Sequence, residues 1–358
     1  MKQYRVGILG ATGLIGQTYA VLLEDHPWFQ VKVLMASARS QGKKYADAVG
    51  DCWRQDNPMP DPVRDLIVHG TDDIGRLKKE IDLVFSAVDM ERDELIRLEE
   101  RMAGEGIPVI SNNDASRWQP DIPIIIPEIN NSHTKLIPSQ RKRLKTKSGF
   151  IVTMPNCSLQ SYVPALTPLM DFGIEEIAVT TCQAVSGAGR RLPDWPEMQD
   201  NMIPFIDGEE EKSENEPLKI WGNCLEDRIL PAKKPVISAQ CVRVPVEIGH
   251  LAAVFMRFSC KVDTGLILKA WRDYTNELEG MALPSAPSPY LRYFEERDRP
   301  QPKADASLGD GMAVSIGRLR QDSLFDYKFF CLSNNLIRGA AGGAVLTAEL
   351  LIHQGWIK

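Results

Sequence analysis

Residues 4–16 read YRVGILGATGLIG: an apolar run, Tyr4 to Leu9, breaks into a glycine-rich turn and passes without a spacer into residues 14–23, whose apolar positions recur at helical spacing. A second apolar run follows at residues 31–36, so the opening of the chain is a strand, a tight turn, a helix and a strand, the βαβ unit from which parallel sheets are built. The alternation continues downstream. Residues 82–88 are expected as a strand, 90–102 as a helix, and 107–111 and 122–126 as further strands. The expected fold is therefore α/β, with an N-terminal Rossmann-type domain over residues 1–150.

From Phe150 the pattern changes. Residues 174–185, 236–246, 251–260, 312–320 and 325–332 are longer β-rich runs, expected to form a large mixed sheet in an α+β second domain over residues 151–335. A helix is expected across one face at residues 263–278. Residues 337–352, Ala- and Gly-rich and then Leu-rich, read as a closing helix, so that 336–358 completes the first domain. The run DGEEEKSENEPLK at 207–219 reads by its charge as a solvated loop or helix end.

A chain of 358 residues that is 43% hydrophobic is long and apolar enough for two cores and is not a disordered composition. Its net charge of -6 denies it a global positive field, so neither nucleic acid nor an anionic membrane is an expected partner, and any anionic ligand must be held by local groups. No leader-type segment and no bilayer-length apolar run is evident, which places the expectation in the cytoplasm. Seven cysteines without a CxxC pair point to neither a disulfide framework nor a metal site.

The turn Gly10-Ala11-Thr12-Gly13-Leu14-Ile15-Gly16 sits where a dinucleotide's pyrophosphate would meet a helix N-terminus. Glycines there permit a tight turn and close backbone approach, and the unpaired N–H groups attract an anion. After the second strand comes Ala36-Ser37-Ala38-Arg39-Ser40, without the acidic residue that would read a ribose 2′-hydroxyl. Arg39 between Ser37 and Ser40 suits a 2′-phosphate, which favours NADP over NAD.

Cys157 lies between a strand-like run and a run of helical spacing. A thiolate at a helix N-terminus is stabilised by the helix dipole, and the same N–H groups can hold an oxyanion. Taken alone, such a cysteine is more often a small buried apolar residue. His250, after a glycine in VEIGHL, is the leading acid/base candidate among five histidines, with Arg243 upstream in VRVPVEIGH. The strand-to-loop segment from Gln183 through Ser186 and Gly187 allows a flat ligand close to the backbone and supplies an amide to orient a carbonyl.

GATGLIG (10–16), PNCS (155–158), QAVSGAG (183–189), VRVPVEIGH (242–250) and NNLIRGAAGGAVLTAELL (334–351), in this order, resemble the aspartate-semialdehyde dehydrogenases, in particular their archaeal and fungal branch. The resemblance spans nearly the whole chain. It implies the reversible, NADP-dependent conversion of aspartate 4-semialdehyde and phosphate into 4-aspartyl phosphate, which in cells runs reductively toward lysine, threonine, methionine and isoleucine. By the same resemblance Cys157 is the nucleophile, His250 the general acid/base, Gln183 an orienting group and Arg243 the ligand of the substrate carboxylate. Glu216 and Lys219, in ENEPLKI, would take the amine and the phosphate, with Arg117 and Asn112 completing the substrate site. Ser86, Ala87, Ser186, Gly187 and Asn335 would touch the cofactor, and the second domain would pair copies into a homodimer or homotetramer. Leu159 beside the nucleophile and the polar loop Asn112-Asn113-Asp114-Ala115 depart from the family pattern. QRKRL at 140–144 resembles malonyl-CoA reductase, an acyl-CoA reductase on the same scaffold and the alternative reading. Against it stand Arg243, Glu216 and Lys219, a carboxylate, amine and phosphate set that malonyl-CoA does not need.

Overall fold

The computed structural model describes residues 3–358. β1 (Tyr4–Leu9), β2 (Phe29–Met35), β3 (Val68–His69), β4 (Leu83–Ser86), β5 (Pro108–Ser111) and β6 (Phe150–Thr153) form one six-stranded sheet in the order β3-β2-β1-β4-β5-β6, with every pairing parallel. Strands such as LVFS and PVIS are buried along their whole length, as a sheet covered on both faces requires. The strand order reverses between β1 and β4, and the crevice outside their carboxyl ends is where an open α/β sheet binds its ligand.

Two expectations change here. Phe150 opens β6, which pairs with β5, so the first sheet runs past the anticipated boundary at residue 150 to Thr153. Residues 122–126 are buried and extended but make only one bridge, Ile124 with Thr153. Pro120 and Pro127 bracket the run and Pro123 lies within it, and a proline has no N–H for a ladder, so the pairing goes no further.

β7 (Ile174–Gln183), β10 (Val236–Arg243), β11 (His250–Phe258), β12 (Leu291–Phe294), β13 (Val314–Gln321) and β14 (Tyr327–Ser333) make the expected mixed sheet, ordered β10-β7-β11-β14-β13-β12; β8 (Asn223–Cys224) and β9 (Ile229–Leu230) form a separate hairpin. β12 was not anticipated, because it is short and lies in a proline-rich stretch. Along β11 burial alternates strictly, so only one face of the sheet is covered. The helices Leu159–Leu166 and Thr264–Arg272 cover that face with Leu159, Tyr162, Ile267 and Trp271, among others, against Val254, Met256 and Phe329. The second of these helices starts where Asp263 caps Gly265 N–H at 2.7 Å, but it ends at Arg272 rather than 278. On the opposite face Ala178, Cys182, Ala253, Phe255 and Phe330 remain partly exposed.

The charged run forms the helix Glu209–Ile220, with Glu209, Ser213, Glu216 and Lys219 buried. The solvated reading fails because these charges have work to do at an edge strand. Glu210 and Glu214 accept from the N–H groups of Cys241 (3.2 Å) and Ala239 (3.0 Å), blunting the free edge of β10. The C-terminus forms a π-helical turn, Ile337–Ala341, that continues into the helix Gly342–His353, whose Val345, Leu346 and Leu350 join Ile8, Phe85 and Ile110 in the core of the first sheet. Among the described residues no helix is long and apolar enough to cross a membrane.

Candidate active site

β7 runs parallel to β10 and antiparallel to β11, so Gln183 and Arg243, at strand ends, and His250, at a strand start, meet at one edge of the second sheet. The chain leaving β6 in the first sheet brings Cys157 to the same edge. Sγ of Cys157 lies 3.3 Å from Nε2 of His250. Ala184 N–H donates to Nδ1 of that ring at 3.0 Å, which leaves the ring proton on Nε2, facing sulfur. Burial pushes the Cys157 thiol up to about 12, with Glu209 adding to the rise and Arg243 and Arg117 opposing it. Burial, then the Arg243 charge, lowers His250 to about 3. Both shifts favour neutral thiol with neutral imidazole over a thiolate–imidazolium pair. This modifies the dipole-stabilised thiolate read from the sequence: crowding around sulfur outweighs the helix terminus.

A cavity of about 450 Å³ opens in front of Cys157, between the glycine-rich turn and the second sheet. Two glycines fix its shape. A Cβ on Gly339 would lie 2.8 Å from Cβ of Cys157, so this residue of the π-helical turn backs the Cys157 side chain. A Cβ on Gly187 would lie 2.9 Å from Nη1 of Arg243 and 3.0 Å from Cε1 and Nε2 of His250. Arg243 is itself held by a hydrogen bond from Nη1 to the Ala184 carbonyl, 2.8 Å.

Glu216 and Lys219 do not reach the cavity. Both oxygens of Glu216 are taken, Oε1 by Nη1 of Arg117 and Oε2 by the Asn156 N–H, each at 2.8 Å, and the side chain is fully buried. Nζ of Lys219 donates to the carbonyls of Arg117, Gln119 and Ile122 at 2.5–2.9 Å. They brace the loop that carries Arg117 rather than meeting a ligand. The groups in the cavity wall are instead Glu209 and Lys212, one spacing unit earlier on the same helix. Glu209 accepts from Asn156 Nδ2 (2.6 Å) and Gln183 Nε2 (3.0 Å), so Gln183 serves this carboxylate. The signal was in the sequence: Glu-x-x-Lys occurs at 209/212 and again at 216/219, about two turns apart and on one face. Spacing alone cannot choose between them; depth does.

Arg117 and Asn112 do line the cavity. Arg117 is buried, its Nη2 donating to the Asn112 carbonyl at 3.0 Å. Asn156 and Gly339, which the sequence reading passed over, lie against Cys157 in its motif and behind it.

On the cofactor side, Gly10 has φ +84°, and a Cβ there or on Gly16 would fall within 2.4 Å of a backbone oxygen. Gly13 precedes the helix Leu14–Leu22 without any side-chain cap and, with Leu14 and Ile15, faces the cavity. A bare helix N-terminus opening on Cys157 fits a dinucleotide. Thr12 is half-buried, and its carbonyl accepts from Gln17 Nε2 at 3.0 Å. Ser37 and Arg39 are exposed after β2, whereas Ser40 is folded inward, its N–H donating to the Ser37 carbonyl at 2.9 Å. Ala87 lines the cavity, but Ser86 does not: it is fully buried, with its hydroxyl donating to Glu99 at 2.8 Å, and so is withdrawn from the cofactor set. Asn335 bridges two loops of the cavity, donating to Ser186 Oγ and accepting from Gly249 N–H, both at 2.9 Å. Among the described residues no group of His, Cys, Asp and Glu could hold a metal ion.

A dinucleotide-type sheet joined to a mixed sheet, with a cysteine–histidine pair between them, defines the class. The family model for the NAD binding domain of semialdehyde dehydrogenases matches residues 5–137, and the model for their dimerisation domain matches 166–338. Aspartate-semialdehyde dehydrogenase of Archaeoglobus fulgidus is 40% identical over 98% of this chain and 99% of its own, and that of Saccharomyces cerevisiae is 38% identical over 98% of each. The crystal structure of the Candida albicans enzyme with NADP superposes with a TM-score of 0.88 at 35% identity, covering 99% of this chain and 100% of the other. The chain belongs to the aspartate-semialdehyde dehydrogenase family.

Proposed function

We propose that this chain is an NADP-dependent aspartate-semialdehyde dehydrogenase that works through a thioester on Cys157. The observation that carries the reading is the 3.3 Å contact of Cys157 Sγ with Nε2 of the buried His250, Cys157 itself facing a cavity whose walls hold Glu209, Lys212 and Arg117. In the oxidative direction the sulfur adds to the aldehyde carbon while His250 gives its Nε2 proton to the carbonyl oxygen and takes the thiol proton in exchange, giving a thiohemiacetal. The Gly10–Gly16 turn would hold NADP, which when bound would supply the acceptor for the hydride of this C–H bond, and as NADPH its donor in the reverse direction. Loss of that hydride, with the hydroxyl proton released through the open cavity to solvent, leaves a thioester on Cys157. Phosphate attacks the thioester carbon, the C–S bond breaks, and Cys157 departs as a thiolate stabilised by Nε2–H, which the proton of the attacking hydrogen phosphate then converts back to the thiol. Splitting one displacement into two acyl transfers lowers each barrier.

In this reading Arg243 takes the substrate carboxylate as a fork, Glu209 its amine, and Lys212 with Arg117 the phosphate. The first sheet with residues 336–358 holds the cofactor. The second sheet carries catalysis and pairs two copies through the partly exposed face of Ala253, Phe255 and Phe330. Seven free cysteines, all among the described residues, agree with the cytoplasm as its compartment. The test is the dependence of NADP reduction on aspartate semialdehyde and inorganic phosphate together. Turnover confined to malonyl-CoA would refute the reading.

A further inference from the structure

One carboxylate of the cavity has no part in this chemistry. Asp114 belongs to the polar loop that departs from the family pattern, and it stands in the cavity wall three residues before Arg117. Oδ2 lies 2.8 Å from Nζ of Lys212, and Oδ1 lies 3.8 Å from Nη1 of Arg92 on the outer side of the loop. Arg92 also donates to the Ala115 carbonyl at 3.1 Å, which braces the loop there. Burial alone would raise the Asp114 carboxyl, but the hydrogen bond and charge of Lys212, helped by Arg117 and Arg92, hold it below the ordinary aspartate value. The carboxylate is thus an anion seated among three cations.

Lys212 is reached by two carboxylates, Asp114 at 2.8 Å and Glu209 at 3.4 Å. An incoming anion that uses Lys212 competes with the nearer one for the same ammonium. We propose that Asp114 is an internal stand-in for phosphate: it holds Lys212 in the cavity and lowers phosphate affinity by competition, yielding Lys212 to phosphate while Arg92 keeps a cation beside it. Asp114 touches neither Cys157 nor His250, so it is a residue that sets affinity rather than a catalytic one. The proposal rests on the reading of Lys212 as a phosphate ligand.

Initial rates of NADP reduction against inorganic phosphate, at fixed aspartate semialdehyde, test it in four proteins: wild type, Asp114→Asn, Lys212→Ala and the double variant. Asp114→Asn should lower the phosphate KM roughly 2- to 5-fold, the range of a partly exposed ion pair, with the gain shrinking at high salt. The aldehyde KM is the internal control and should move less. Lys212→Ala should raise the phosphate KM, and adding Asp114→Asn to it should change nothing further. A phosphate KM unchanged or raised in Asp114→Asn, or lowered equally in both backgrounds, overturns the stand-in. A wild-type phosphate KM in Lys212→Ala instead overturns the phosphate reading itself. If Lys212→Ala turns over too slowly, the rise in Tm that each protein gains from inorganic phosphate gives the same comparison.

Discussion

Replacing Gly187 by alanine adds one carbon where there is no room for it. Its Cβ would stand 2.9 Å from Nη1 of Arg243 and 3.0 Å from two ring atoms of His250, while ordinary contacts begin at 3.4 Å. The neighbours must therefore give by roughly 0.5 Å, which is the whole tolerance of a preorganised site. Neither neighbour is free to give. The ring is held at Nδ1 by Ala184 N–H, the guanidinium by the Ala184 carbonyl, and both restraints come from the residue that opens the loop. The imidazole moves off Cys157, and the fork moves off the substrate carboxylate. A displacement of that size costs roughly 10- to 100-fold in kcat, with the aldehyde KM rising as well. The assay is steady-state NADP reduction against aspartate semialdehyde, alongside the Tm of the variant. Near-wild-type kcat and KM in a folded Gly187→Ala protein would refute the packing argument.

Three further outcomes follow from the same geometry. Because the Cys157 thiol is raised and His250 is depressed, alkylation of Cys157 by iodoacetamide should rise about tenfold per pH unit between about pH 6 and 9; a plateau with a midpoint near neutrality would mean a thiolate–imidazolium pair instead. Glu209→Gln should raise the KM of the amine-bearing substrate with little change in Tm. Glu216→Gln should do the reverse, because it strands the buried Arg117 charge at a cost of about 3–5 kcal/mol in stability, and equal KM effects from both would undo the correction made between them. Arg39→Asp should raise the KM for NADP and lower that for NAD; unchanged selectivity would remove Arg39 from the 2′-phosphate site.

The first sheet was legible because buried parallel strands and glycine turns are local signals, and YRVGILGATGLIG contains both. Its last strand was assigned to the wrong side of the boundary, since Phe150–Thr153 has turn residues on both sides, Ser148-Gly149 and Pro155-Asn156, and neither marks which sheet it joins. The helix Glu209–Ile220 was illegible for a different reason. Charge is read as solvent, but here the carboxylates cap backbone N–H groups of β10, hold Arg117 and wall a cavity, all partners distant in sequence. Ser86 was misplaced in the same way, because nothing near it announces Glu99, which draws its hydroxyl inward. Cys157 and His250 were nameable one by one, but their 3.3 Å contact and the tautomer set by Ala184 are products of the tertiary structure.

The claim that everything else rests on is the acyl group on Cys157. Mixing the protein with aspartate semialdehyde and NADP without phosphate should give a burst of one NADPH per active site and then stop. Mass spectrometry of the quenched protein should find the aspartyl adduct on the peptide containing Cys157, and phosphate should discharge it. No burst and no adduct in a protein that turns over with phosphate, or a normal burst in Cys157→Ala, would contradict the account.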